Sequence, residues 1–174
     1  MKFGGSSLAD HTRVDHVAKL IRSQIEEEGA DPIIVLSAMG KSTNLLLAAA
    51  DAALEGGAAE EAVAPVAALA RDTCAALELP DDVLAAVDEL IAELTGLVRG
   101  VGLVQELSPA LKDRIVSFGE RISVRIVSAH LRAVGVRASA CVRAGPNVAS
   151  RCRSHIDPHR PETASPHAPM ANAW

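Results

Sequence analysis

Residues 31–44, DPIIVLSAMGKSTN, decide the fold of this chain. Residues 33–38 form a continuous apolar run rich in β-branched side chains, which predicts a strand buried on both faces, as in a parallel sheet. The polar turn 39–44 follows at the carboxyl end of that strand, where open α/β sheets bind their ligands. Its Gly-Lys-Ser suggests a P-loop, but that motif requires a glycine five residues before Gly40, and Val35 stands there. The P-loop is therefore excluded, while spacing alone leaves a ligand loop and an ordinary capped turn equally open.

The segment before this strand completes a βαβ pattern. Residues 2–7, KFGGSS, combine a short apolar stretch with a glycine-rich turn, and helical periodicity runs from about Asp10 to Gly29. Glycines let a backbone approach an anion closely, N–H groups at a helix start point at it, and Lys2 adds charge. The turn is thus a candidate phosphate cradle. The alternative is an ordinary strand-to-helix turn with a surface lysine. This alternative is favoured when the two glycines are the only evidence.

The remainder of residues 45–140 is predicted to be largely helical. Apolar spacing indicates helices over 45–54 and 58–78 and a third starting at Pro80-Asp81, whereas the glycines in 96–107 predict a loop or broken helix. Ser108-Pro109 then begins one long helix that ends at Gly135. Residues 136–140 form a candidate short strand.

Gly119 and Glu120, within that long helix, are candidate site residues. Gly119 costs about 1 kcal/mol in a helix interior relative to alanine, which indicates that another helix or a ligand approaches closely. Glu120 flanks the buried face defined by Phe118 and Ile122, and its carboxylate could bind an ammonium group. The alternative is a Glu120–Arg121 pair on a solvated face. This alternative is favoured when the segment is considered in isolation.

Composition excludes several classes of function. The chain has 174 residues, of which 49% are hydrophobic and 22% charged, as expected for a globular protein. Aromatic residues make up 2%, too few for a base-stacking surface, and the net charge of −5 argues against a binder of phosphate backbones. No apolar run reaches membrane-spanning length. Three widely spaced cysteines and six histidines suggest neither a disulfide framework nor a metal site.

The charge balance divides the chain near residue 140. Residues 1–140 hold 13 Lys and Arg against 20 Asp and Glu, whereas residues 141–174 hold four Arg against two acids. Five of the nine prolines lie in the second segment, which lacks periodicity. We therefore predict that residues 141–174 are a disordered tail, comparable to translation of another reading frame or of an unspliced intron.

Taken in order, the motifs resemble those of aspartate kinases. KFGGSS at residues 2–7, VLSAMGKSTN at 35–44, LSP at 107–109 and SFGER at 117–121 occur in that family's order and at about its spacing. The resemblance covers residues 2 to about 140 and corresponds to the N-terminal part of the family's kinase domain.

The resemblance implies a fold, an activity and a set of site residues. The fold would be an α/β amino-acid kinase sandwich of three αβα layers with a mostly parallel sheet, here incomplete. The family transfers the γ-phosphoryl group of ATP to the β-carboxylate of L-aspartate, with Mg²⁺ bound, in the first step toward lysine, threonine, methionine and isoleucine. Lys2 would be the catalytic cation. The phosphate contacts would come from Lys2, Gly4, Gly5, Ser6, Ser37, Ala38 and Gly40, and the aspartate contacts from Thr43 and Glu120.

Departures from the family carry their own expectations. The family's second set of aspartate contacts, nucleotide segment, catalytic aspartate and ACT domains have no counterpart here, so we expect half a site and an inactive chain. Met1 falls inside the expected first strand, which predicts upstream sequence. The location would be cytoplasmic, or plastid if a transit peptide precedes. The expected partners are L-aspartate and ATP, without nucleic acid or membrane, and a homo-oligomer is an option for the full-length protein.

Two alternatives remain beside this assignment. The first is a non-catalytic fragment that docks on intact subunits through an exposed sheet edge or uncovered apolar helices. The second is another amino-acid kinase, acting on glutamate, acetylglutamate or uridylate. Those relatives share the glycine-rich start but lack the Ser-Phe-Gly-Glu-Arg segment.

Overall fold

The structure, a computed structural model, describes residues 1–29 and 31–141. The predicted disordered tail, residues 141–174, lies outside this part of the chain except for its first residue. Two strands, a 3₁₀ helix at Gly5–Leu8 and six α-helices follow one another within the described residues. They are β1 (Lys2–Phe3), α1 (His11–Glu28), β2 (Val35–Leu36), α2 (Ser42–Leu54), α3 (Ala59–Ala76), α4 (Asp81–Val104), α5 (Pro109–Val116) and α6 (Phe118–Ala133).

β1, the 3₁₀ helix, α1 and β2 form the predicted βαβ unit. β1 and β2 pair in parallel, with Lys2 opposite Val35 and Phe3 opposite Leu36. Between them, α1 is capped at its start by Asp10, whose side chain accepts a hydrogen bond from the Arg13 N–H at 2.9 Å. It ends at Gly29 in the left-handed conformation (φ 61°). An α/β fold with a parallel sheet is therefore confirmed, although the sheet is small and the fold mostly helical.

The second strand differs from the expectation of burial on both faces. Only Val35–Leu36 has strand conformation, and 52% of Val35 and 56% of Ile33 are exposed. Alternate side chains of a strand point to opposite faces, and Ile34 and Leu36 pack against the core while the other face stays uncovered. The prediction of two-sided burial is wrong because, within the described residues, helices cover only one face of this two-stranded sheet.

Helix α4 extends farther than the glycine pattern predicted. It runs unbroken through Gly96, Gly100 and Gly102 to Val104, so the loop expected at 96–107 is limited to its last residues. Leu94, Val98 and Val101 are fully buried on one face of this segment. Burying a large apolar side chain contributes about 1.5–3 kcal/mol, which exceeds the helix cost of about 1 kcal/mol for each glycine.

Gly96 provides a direct test of that balance. It is exposed, and a Cβ added there would meet no atom within 4 Å. We expect Gly96→Ala to raise the free energy of unfolding by about 0.5–1 kcal/mol, because alanine gains helix propensity without a clash. Urea denaturation followed by circular dichroism measures this change, and a loss of stability would contradict the helical assignment of residues 96–104.

The predicted long helix from Ser108 to Gly135 is interrupted. Ser108 caps α5 as expected, but α5 and α6 are separate helices that meet at Ser117. The Ser117 hydroxyl donates to the Arg114 carbonyl at 2.7 Å, and such side-chain bonds compete with the helical ladder. Gly119 therefore lies in the first turn of α6 and not in a helix interior.

The strand expected at residues 136–140 is absent from the described part of the chain. These residues have no strand partner there, and the Ala138 carbonyl accepts a hydrogen bond from the Arg132 guanidinium at 3.2 Å. A strand needs a neighbouring strand to bond its backbone, so this segment does not form one among the described residues.

An ion cluster ties α1 to α6. The Asp15 carboxylate lies 2.6 Å from Lys19 Nζ and 3.1 Å from Nε2 of the buried His130. The hydrogen bond from Lys19, followed by that from His130, holds the pKa of Asp15 below its ordinary value of 3.8. The ionised carboxylate therefore stabilises the fold above that pH, and the contribution is lost as the pH falls through the lowered pKa.

Replacing Asp15 should thus have a pH-dependent effect. We expect Asp15→Asn to lower the free energy of unfolding by up to about 1 kcal/mol near neutral pH, the range of exposed ion pairs. The difference from the wild type should shrink as the pH falls from about 3.8 through the lowered pKa of Asp15, because the wild-type carboxyl is then protonated and uncharged, as the asparagine amide is at every pH. Urea titrations at several pH values measure this, and a constant difference at all pH values would contradict it.

Candidate functional site

Three of the sequence motifs meet at one small residue, Ala38, which is buried after β2. A Cβ added to Gly5 would lie 2.9 Å from the Ala38 carbonyl oxygen, and one added to Gly119 would lie 2.7 Å from Ala38 Cβ. The Gly40 N–H donates to the Gly5 carbonyl at 3.2 Å. The glycine-rich start, the loop after β2 and the first turn of α6 are therefore in direct contact.

Position 40 requires glycine for two reasons. Its φ of +48° is left-handed, and a Cβ there would lie 2.8 Å from the Ala9 carbonyl oxygen. Side chains are disfavoured in that conformation, so both the backbone angle and the neighbouring chain require glycine. The two predicted phosphate loops are therefore in tight contact at Gly40.

Glu120 lies in the first turn of α6 and faces this junction. Its half-buried side chain accepts a hydrogen bond from the Ala38 N–H, with Oε1 3.4 Å from the nitrogen. The alternative of a Glu120–Arg121 pair is wrong, since Arg121 instead binds Glu93 on α4 at 2.6 and 3.2 Å. Glu120 is thus a carboxylate placed between two of the predicted motifs, with no cation bound to it among the described residues.

The remaining predicted site residues lie in β1, in the two loops and in α2, and they form no hydrogen bond with Glu120 among the described residues. Lys2 is exposed in β1, opposite Val35. Gly4 and Ser6 are exposed, Ser37 is half-buried, and Thr43 is half-buried in the first turn of α2. Within the described residues, no hydrogen bond links Lys2 or Thr43 to Glu120. Their assignment to phosphate and aspartate contacts stays a prediction.

Two residues support the loops and were missed by sequence reasoning. The Arg13 guanidinium donates to the Ser6 carbonyl at 2.7 Å, which braces the glycine-rich turn from α1. The buried Ser42 hydroxyl donates to the Met39 carbonyl at 2.6 Å and closes the turn before α2. The Ser42 bond follows a recurrent local pattern for hydroxyl residues in turns, whereas no sequence signal pointed to Arg13.

The described residues provide no metal site of their own. Residues 1–29 and 31–141 contain no group of three or more His, Cys, Asp or Glu side chains placed to hold an ion. The Mg²⁺ expected from the resemblance therefore has no ligand assigned in this part of the chain. None of the helices described is both long enough and apolar enough to cross a membrane.

Comparison with known families identifies the group to which this architecture belongs. The sequence model of the amino acid kinase family matches residues 1–163. The chain belongs to the amino acid kinase family. The match runs past residue 140, where the resemblance had been expected to end, so the predicted domain boundary remains a prediction.

Within the amino acid kinase family, the similar proteins are aspartokinases. The chain is 40% identical over 142 residues to Aspartokinase 1, chloroplastic, of Arabidopsis thaliana, which covers 79% of this chain and 24% of that protein. It is 31% identical over 137 residues to lysine-sensitive aspartokinase 3 of Escherichia coli, which covers 79% of this chain and 29% of that protein. The chain thus spans about a quarter of the length of these relatives.

A solved structure agrees with the sequence relatives. Escherichia coli aspartokinase III, crystallised in complex with aspartate and ADP, superposes with a TM-score of 0.62 and 28% sequence identity. The match covers 75% of this chain and 28% of that one. The helical α/β architecture of the described residues is therefore that of an aspartokinase, over part of its length.

Proposed function

We propose that this chain carries the aspartate-recognising part of an aspartate kinase. The observation that supports it most is the junction at Ala38, where the glycine-rich start, the loop after β2 and Glu120 converge. The aspartokinase relatives, at up to 40% identity, add the substrate class. The reaction would form a bond between the β-carboxylate oxygen of L-aspartate and the γ-phosphorus of ATP. The bond from that phosphorus to ADP would break, giving 4-phospho-L-aspartate.

Glu120 would hold the ammonium group of L-aspartate. Its carboxylate is half-buried, and the only hydrogen-bond donor that contacts it among the described residues is the Ala38 N–H, at a long 3.4 Å. An ammonium ion would supply the charge-assisted hydrogen bonds that this carboxylate lacks, and such bonds contribute about 1.5–3 kcal/mol. Thr43, in the first turn of α2, would add a hydroxyl contact to the substrate.

The glycine loops would face the phosphoryl group. Gly4 borders open space, and the first N–H groups of the 3₁₀ helix that follows have no partner inside that helix. Gly5 and Gly40 let their backbones approach closely, and Ser6, Ser37 and Ala38 belong to the same two loops. Lys2, exposed beside them, would neutralise the transferring oxygens. Phosphoryl transfer depends mainly on such positioning and charge stabilisation.

A domain exchange tests this assignment. Residues 1–140 would replace the matching stretch of the Escherichia coli lysine-sensitive aspartokinase 3, and ATP consumption would be measured with L-aspartate, L-glutamate, N-acetyl-L-glutamate and uridine monophosphate. We expect L-aspartate to be the preferred acceptor. A folded chimera that binds ADP but prefers another acceptor would contradict the proposal and favour a different amino-acid kinase.

A second candidate function rests on a different observation. Ile33 and Val35 on the open face of the sheet are more than half exposed, and Leu103 and Val104 at the end of α4 are 80% and 70% exposed. Such apolar surface suits docking on an intact aspartokinase subunit. Co-purification of the chain with an intact aspartokinase, together with altered activity of that enzyme, would support it, and the absence of both would remove it.

The location is proposed from the relatives. Three Arabidopsis thaliana relatives are named as chloroplastic, which supports a plastid location over a cytoplasmic one. Imaging of the natural protein with a fluorescent label would distinguish the two compartments.

A further inference from the structure

Glu93, which no motif contains, lies where it can control the turn that carries Glu120. From α4, its carboxylate binds Arg121 in a bidentate contact, with N–O distances of 2.6 and 3.2 Å. The same carboxylate lies 3.5 Å from Nη2 of Arg114 on α5. Arg114 precedes the helix break at Ser117 and Arg121 follows it. One carboxylate therefore bridges the two helix ends on either side of the break.

Arg121 is fixed on more than one side. Its guanidinium carbon lies 4.2 Å from the centre of the Phe118 ring, and Phe118 is fully buried. A planar guanidinium that stacks on a ring and binds a carboxylate through two nitrogens has little freedom to turn. Only 25% of the Arg121 side chain is exposed, whereas both side chains of the Arg71–Asp88 and Arg99–Glu60 pairs are more than 40% exposed. This pair is therefore more than a loose surface contact.

The first turn of α6 transmits this restraint to the site. Gly119 and Glu120 lie between Phe118 and Arg121, and Gly119 packs so closely on Ala38 that no side chain fits there. With Arg121 held by Glu93 on one side and Gly119 seated on Ala38 on the other, the rotation of this turn is set. Glu120 then presents its carboxylate to the Ala38 N–H.

We propose that Glu93 is a positioning residue for aspartate binding: through Arg121 it fixes the α6 turn that aims Glu120 at the substrate ammonium group. The inference rests on the proposed function for the identity of the substrate. The hydrogen bond from Arg121 also holds the pKa of Glu93 below its ordinary value of 4.5, so this carboxylate is ionised at neutral pH.

The experiment uses the full 174-residue chain and two readouts. Nuclear magnetic resonance measures hydrogen exchange of the Ala38 amide without ligand, and titration with L-aspartate gives its dissociation constant. We expect Glu93→Gln to raise both the exchange rate and the dissociation constant by about three- to fivefold, the scale of a well-formed ion pair. Arg121→Lys, which keeps the charge but loses the two-pronged contact, should act in the same direction.

Glu60→Gln is the matched control. It removes the Glu60–Arg99 ion pair, which joins α3 to α4 on the surface and does not involve α6. Both readouts should stay at wild-type values in this variant. Unchanged Ala38 exchange in Glu93→Gln and Arg121→Lys, or an equal change in Glu60→Gln, would overturn the positioning role. Because the exchange readout needs no ligand, it is separate from the proposed function, which would fail if the wild-type chain bound no L-aspartate.

Discussion

Gly119→Ala is expected to lower the free energy of unfolding by about 1–2 kcal/mol. The added Cβ would lie 2.7 Å from Ala38 Cβ and 3.4 Å from Leu46 Cδ1. Ala38 has no flexible side chain that could move aside, so the loop after β2 or α6 must shift. Overpacking of this kind costs about 1–3 kcal/mol, and the gain in helix propensity of up to about 1 kcal/mol offsets only part of it.

Gly96→Ala is the matched control for this variant, because the same atom is added to a helix where nothing lies within 4 Å. The two substitutions should change stability in opposite directions when measured by urea denaturation under the same conditions. Equal effects, or a stabilising Gly119→Ala, would show that α6 does not approach the loop after β2 as closely as described.

Glu120→Gln is expected to weaken L-aspartate binding by at least about tenfold. The amide keeps an oxygen that can accept from the Ala38 N–H, so the fold should be retained. It loses the negative charge, however, and a hydrogen bond to a charged partner contributes about 1.5–3 kcal/mol. Isothermal titration calorimetry of L-aspartate into the wild-type and variant chains measures the difference.

Glu89→Gln provides the control for charge alone. Glu89 is exposed on α4, and its removal changes the net charge of the chain by the same amount. It should leave the affinity for L-aspartate unchanged within about a factor of two, since the field of a solvent-exposed charge is screened by salt. Equal loss of affinity in both variants would mean that Glu120 acts through the overall field and not by contact.

Local patterns in the sequence predicted the parts of the fold that local physics determines. The βαβ unit follows from the apolar run at 33–38, the glycine-rich turn and the helical stripe of α1. The predicted ends of α1 coincide with the Asp10 cap and the left-handed Gly29. Gly119 was linked to a close approach by another helix or a ligand; the structure shows the close approach, but the nearest neighbour is Ala38 in the loop after β2.

The remaining features depend on tertiary contacts that no single segment contains. Helix α4 crosses three glycines because its buried face packs on the other helices, and the strand predicted at 136–140 fails because it has no partner in the described chain. The choice of Arg121 between its neighbour Glu120 and the distant Glu93 depends on how α4 lies beside α6. Sequence spacing could not predict which acid Arg121 binds. Because Arg121 binds Glu93, the Glu120 carboxylate has no cation bound to it among the described residues.

The measurement that tests the central claim most directly compares L-aspartate with succinate as ligands of the wild-type chain. Succinate has the same two carboxylates but lacks the ammonium group that Glu120 would bind. We predict measurable binding of L-aspartate and an affinity for succinate at least about tenfold lower, the loss expected for one charge-assisted contact. Equal affinities for the two ligands would contradict the assignment of Glu120, and with it the proposal that this junction recognises aspartate.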